Sequence, residues 1–286
     1  MIHFLMLNFH PKQFKMFKDM SANDNLAHAF LFTGPEGVGK LEFARQIAAW
    51  LQFEDGGVLD PSVALREGGP DIIETPSPLP IEDAQDLKKR LYTSPFSGKY
   101  KIVIIPAAHN MHTDAANSLL KMIEEPRGDT IFILCSSYPE IILETIRSRC
   151  TEMKFLMVAD EVIEKELNTE PIKELKLHWS GRPGFAKRML DDKDYRKKIK
   201  GYRTDWDLFF KNSLSESFKI SEKYAKMEDR RDVAEALRVW MEIARSNMPA
   251  NEKLLSDLLN IYQNLMTTNV NVRYALEGLS IKKYAK

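Results

Sequence analysis

Two cysteines, Cys135 and Cys150, are all that 286 residues supply, too few for a disulfide framework or a four-thiolate zinc site. That scarcity fits a reducing compartment, and the expected location is cytoplasmic. No sign of charge dominates either. The 41 lysines and arginines face 41 aspartates and glutamates, so no global field draws the chain to nucleic acid or to an anionic membrane. Long apolar runs are also missing. Met1 to Phe9 is apolar, but it has no basic stretch and is cut off by His10, Pro11 and Lys12. We read neither a signal peptide nor a transmembrane span there. No internal repeat or low-complexity tract stands out.

The most informative stretch present is itself defined by a gap. Gly34-Pro35-Glu36-Gly37-Val38-Gly39-Lys40-Leu41 is a phosphate-binding loop complete except for its last residue. A working GxxxxGK[ST] loop closes with a hydroxyl that holds Mg²⁺. Leu41 offers no oxygen to a hard cation.

The surroundings suit the motif. Ala29-Phe30-Leu31-Phe32 is a compact apolar run that feeds the loop as a buried strand, and Ala44, Ile47, Ala48 and Leu51 mark one face of the helix that leaves it. Before it, Phe14, Phe17 and Met20 predict a short amphipathic helix over Phe9 to Met20. Glu54 to Pro80 reads as loop around a short strand at Asp71 to Ile73. Ile81 to Leu91 and Ala116 to Ile123 carry helical stripes, the second stopped by Pro126. Tyr100 to Ile105 and Thr130 to Leu134 are buried strands rich in β-branched residues. Pro139 is expected to open a helix towards Arg147, with a last strand at Thr151 to Phe155. Beyond residue 156 the pattern is helical: Val158 to Leu167, Ile172 to Leu177, a turn at Ser180 to Gly184 that starts another helix, and helices from Asp205 onward broken near Met248-Pro249. The fold class expected is α/β, a parallel sheet with helices on both faces followed by helical domains.

Taken together, Leu26 to Gly34, the strand from Lys101, Asn117 to Lys121 with Glu124-Glu125-Pro126, and Arg147-Ser148-Arg149-Cys150 resemble the subunits of bacterial replicative clamp loaders within the AAA+ family, delta-prime subunits of DNA polymerase III in particular. Asn269 to Glu277 resembles a run seen in their C-terminal domains. The resemblance implies a AAA+ domain over 1–156, a small helical lid over 157–200 and a helical oligomerisation collar over 201–286. It also implies hetero-oligomeric partners: gamma/tau-like ATPase and delta-like subunits, with the sliding clamp and primed DNA met through the complex. No membrane is implied.

The departures from that family carry as much meaning. Active relatives end the strand matching Lys101 to Ile105 in Asp-Glu-Ala-His or similar, where Asp supports Mg²⁺ and Glu polarises water. Here the residues are Pro106-Ala107-Ala108-His109; both carboxylates are gone, and Pro106 and Ala107 can neither hold a metal nor accept a proton. Gly184 stands in the slot of a phosphate-sensing arginine, with Arg182 nearby. The four zinc-binding cysteines of many members are missing between Trp50 and Thr75, so no metal is expected. The implied function is that of a non-hydrolysing delta-prime-like subunit whose Arg149 crosses a boundary as an arginine finger for a neighbour's ATPase site. Two rivals remain: an active AAA+ ATPase such as the loader's motor subunit, or a stand-alone nucleotide-sensing module.

No cofactor is required on this reading. Gly34, Gly37, Gly39 and Lys40 either bind a nucleotide or phosphate without Mg²⁺, through backbone N–H groups, or form a relic that stays empty. Ser136 and Ser137 read as hydrogen-bonded loop serines, His109 and His112 as hydrogen-bonded or solvent-facing side chains, and both cysteines as packing residues. The basic run from Lys187 to Lys200 is interrupted by Asp191, Asp192 and Asp194 and reads as a solvated helix end or linker.

Overall fold

The computed structural model describes residues 5–52, 71–93, 95, 99–126, 128–268 and 270–284. Most of the loop expected over Glu54 to Pro80 lies outside them, as do most of the residues between Trp50 and Thr75 in which a zinc module was sought. The chain packs as two compact units. The first runs to Asn168 and takes in Gly181–Phe185; the second holds Thr169–Ser180 and the described residues from Ala186 onward. The segment expected as a lid, 157–200, is shared between them.

In the first unit the strands are β1 (Ala29–Thr33), β2 (Ile72–Glu74), β3 (Lys101–Ile105), β4 (Thr130–Ser136) and β5 (Thr151–Lys154). Its helices are α1 (Leu5–Phe9), α2 (Pro11–Ala22), α3 (Lys40–Gln52), α4 (Ile81–Arg90), α5 (Thr113–Glu124), α6 (Glu144–Arg147) and α7 (Asp160–Glu166). The sheet order is β2-β3-β4-β1-β5, parallel throughout. Every residue of β1, β3 and β4 is buried, as expected of parallel strands covered on both faces. Alternation divides the side chains of β1. Phe30 and Phe32 join Phe17, Phe43 and Phe155 in an aromatic cluster on one face. Ala29 and Leu31 point to the other, where Val103, Ile105, Phe132 and Leu134 meet Leu119 and Ile123 of α5. Buried aromatic side chains of this size are the strongest single contributors to such a core.

Two sequence expectations change. The helix expected from Pro139 to Arg147 is a 3₁₀ turn (Pro139–Ile141) followed by the short α6. Between them Ile142 and Leu143 are extended, with ψ of 136° and 130°, because Ile142 is drawn into the core under β4. The helix expected at Ile172 to Leu177 is likewise a 3₁₀ segment (Glu170–Leu175) leading into α8 (Lys176–Trp179). In the first unit α1 was not anticipated; its five residues are too few to establish a period.

The remaining helices are α9 (Pro183–Asp191), α10 (Lys193–Lys211), α11 (Leu214–Ala225), α12 (Arg230–Ser246), α13 (Glu252–Thr267) and α14 (Val272–Tyr284). Asp192, Ser213 and Asp229 cap α10, α11 and α12, each side chain accepting a backbone N–H of the first turn. The second unit is cored by Trp240, packed on Trp206, Phe209 and Tyr224, its indole N–H donated to the Tyr202 carbonyl at 2.9 Å.

Candidate functional site

In an open parallel sheet, ligands sit beyond the carboxyl ends of the strands where the order reverses. Here that place lies between β1 and β4, and the two strands deliver Gly34 and Ser137 to it. The loop from Gly34 joins β1 to α3. Gly37 has φ +80°, a conformation that glycine adopts without strain.

The Lys40 amine turns back onto its own loop. It donates to the Gly34 carbonyl at 2.7 Å, the Pro35 carbonyl at 2.8 Å and Ser137 Oγ at 3.1 Å. An ammonium has three protons to donate, and three oxygens receive them. Burial pulls the Lys40 pKa down to about 8, since desolvation disfavours the charged form. Both serines are hydrogen-bonded, but Ser136 closes β4 rather than lying in a loop: its Oγ lies 3.2 Å from His109 Nδ1 and accepts the Tyr138 N–H at 3.1 Å. The ring of His109 packs edge-on against Tyr138, and burial lowers its pKa to about 4, so it is neutral at pH 7.

Pro106 and Ala107 follow β3 and bring no oxygen ligand to the crevice. Ala107 has left-handed backbone, φ +43° and ψ +51°, and opens a 3₁₀ turn (Ala108–Asn110). Among the described residues no three His, Cys, Asp or Glu side chains are grouped to hold a metal ion. Gly184 lies directly against the glycine loop: a β-carbon there would fall 2.7 Å from the Gly37 carbonyl oxygen. The Arg182 guanidinium lies 5.9 Å from the centroid of the Phe185 ring.

Arg149 sits apart from this crevice, on the turn between α6 and β5. Buried Ile146 and half-buried Cys150 pack into the core on either side of it, which leaves the arginine side chain 40 % exposed. Its guanidinium donates to the Thr145 carbonyl at 2.9 Å and pairs with Glu124 at 2.8 Å. Burial pushes the Cys150 thiol up to about 12, away from the reactive thiolate range. Cys135 is a buried hydrophobe at the end of β4, its thiol also raised to about 12.

Sequence reading missed the residues that back the loop. His10 Nε2 donates to the Val38 carbonyl at 2.8 Å, and its ring packs edge-on against Phe43 and Phe155. Met6 is fully buried beside Gly39. The one signal was His10 itself, a polar residue immediately before the proline that starts α2.

Fold and crevice together define a AAA+-type phosphate-loop protein with an altered loop. A family model described as DNA polymerase III, delta subunit, matches residues 9–159, and the chain belongs to that family. It is 35% identical over 167 residues to the DNA polymerase III subunit delta' of Bacillus subtilis, covering 55% of this chain and 50% of that protein. It is also 35% identical over 142 residues to the subunit gamma/tau of Mycobacterium bovis, covering 46% of this chain and 25% of that protein. The chain thus spans a quarter to a half of the length of these relatives. Among solved structures, a DNA polymerase III gamma subunit-related protein from Thermotoga maritima aligns over 94% of this chain and 98% of its own, with TM-score 0.56 and 16% identity, a likeness of fold. Among the described residues no helix is long and apolar enough to cross a membrane.

Proposed function

We propose that this chain is a non-hydrolysing, delta-prime-like subunit of a replicative clamp loader, working in the cytoplasm with gamma/tau-like ATPase and delta-like subunits to place a sliding clamp on primed DNA. One contrast carries the reading. The chain's own crevice has Leu41, Pro106 and Ala107 where an ATPase needs a hydroxyl and two carboxylates, while Arg149 stands half-exposed on a turn outside it. Phosphoryl transfer depends almost wholly on positioning and charge neutralisation. Losing one acid–base or electrostatic contributor costs roughly two to four orders of magnitude in rate, so a crevice without all three has no useful turnover.

A guanidinium offered across a boundary needs no intact site behind it. Such an arginine contributes about 10³ to 10⁵ in rate at the site it completes. Arg149→Ala in the reconstituted complex should therefore abolish turnover at the one ATPase site it serves and leave assembly unchanged. Steady-state ATP hydrolysis beside native mass spectrometry of the same preparation measures both. Unchanged turnover in an intact complex removes the finger assignment.

A further inference from the structure

The backbone N–H groups of a phosphate loop form a concavity that suits an anion. In this chain that concavity is approached by other parts of the same polypeptide. The Phe185 N–H donates to the Gly37 carbonyl at 3.2 Å. A β-carbon on Gly184 would lie 2.7 Å from Gly37 O and 3.0 Å from Gly39 N. A β-carbon on Gly37 would lie 2.3 Å from the Phe185 ring, which is itself buried. A β-carbon on Gly39 would meet Met6 Sδ at 2.7 Å and lie 3.9 Å from Gly184 N, and His10 holds the Val38 carbonyl. The first three contacts describe one approach of Gly184-Phe185 to Gly37 and Gly39; those of Met6 and His10 come from a separate part of the chain.

We propose that the glycine loop is an internal peptide-binding cradle, which holds Gly184 and Phe185 of this chain where related loops hold phosphate. The glycines at 37, 39 and 184 then serve close backbone packing. Protein interiors leave no room for two occupants of one space, so a phosphate group reaches the amide of Gly39 only if the 184–185 segment withdraws. Lys40, its amine turned onto Gly34 O, Pro35 O and Ser137 Oγ, is itself buried. The proposal rests on the reading of this crevice as non-hydrolysing, and it fails separately from it.

The test uses the full chain. Lysines are acylated at pH 8 with a small amine-reactive reagent and the extent at each is read by peptide mass spectrometry. Lys40 should label about tenfold or more slowly than exposed Lys12, as protection by a closed structure requires. Phe185→Ala, which adds no atom, should bring Lys40 towards the Lys12 rate. Gly184→Ala should lower the melting temperature, whereas Gly278→Ala, whose β-carbon meets nothing within 4 Å, should not. Where Gly184→Ala fails to fold, Phe185→Ala alone decides. Wild-type Lys40 labelling as fast as Lys12, a Gly184→Ala protein as stable as wild type, or micromolar binding of pyrophosphate or Mg-ATP by calorimetry would each overturn the cradle. A nucleotide held there without cleavage would leave the Arg149 reading standing.

Discussion

His10 shows how one side chain ties the start of the chain to the loop, and why that tie depends on pH. Desolvation lowers its pKa, against the hydrogen bond to Val38 that raises it. His109 is shifted the same way, to about 4. An unfolded chain protonates both near 6.5, the folded chain only at lower pH. Between about pH 6.5 and 4 the unfolded state therefore binds more protons, and stability falls as pH falls. We expect the melting temperature, followed by circular dichroism, to drop from pH 7 to pH 5, and His10→Gln, which keeps a donor for Val38, to flatten that drop. An unaltered slope in the variant would show that His10 is not held neutral. At this scale the letters were partly legible. Leu41, Pro106 and Ala107 declare what the crevice lacks, because absent oxygens are read directly from residue type. The inward turn of Lys40 and the left-handed backbone of Ala107 were not legible, since both follow from contacts that no spacing encodes.

Elements were legible where burial imposes a period, and illegible where packing overrides it. The strands β1, β3 and β4 are continuous apolar runs in sequence and fully buried in the fold. The stretch from Pro139 was expected to be helical because proline suits a first helical turn; that turn is a 3₁₀ one, and the chain leaves it as Ile142 is buried. In the second unit α12 carries a buried polar node that helical periodicity also hides. Glu242 accepts from Arg238 at 2.9 Å and pairs with His178 Nδ1 at 2.7 Å, all three side chains largely or fully buried. Removing one member of a buried pair leaves the other's charge uncompensated, at about 3–5 kcal/mol. Glu242→Ala should cost that much in urea-induced unfolding. Lys89→Ala, which breaks the exposed pair with Asp86, should cost less than about 1 kcal/mol. Equal costs would mean that α12 is held by its apolar face alone.

For the molecule as a whole, charge balance sets what affinity for DNA the isolated chain can have. The balance of 41 against 41 leaves only local patches, and the most basic run, Lys187 to Lys200, is partly neutralised by ion pairs. Lys187 pairs with Asp191 at 2.6 Å and Lys198 with Asp232 at 2.5 Å; Lys200 pairs with Glu174. Arg188 stacks on the Tyr195 ring, 3.7 Å from its centroid. Affinity for duplex DNA comes mainly from lysines and arginines that replace counterions at phosphates, and a cation already paired with a carboxylate releases fewer of them. The isolated chain should therefore bind a primed duplex no more tightly than non-specific proteins do at physiological salt, roughly 10⁻⁴ to 10⁻⁶ M. Fluorescence anisotropy against salt concentration gives both the affinity and the number of phosphates neutralised. Submicromolar binding with a steep salt slope would reveal a basic face that the ion pairs of α9 and α10 do not account for. Weak binding with a shallow slope is the outcome expected if any DNA contact is made through the complex proposed above rather than by this chain alone.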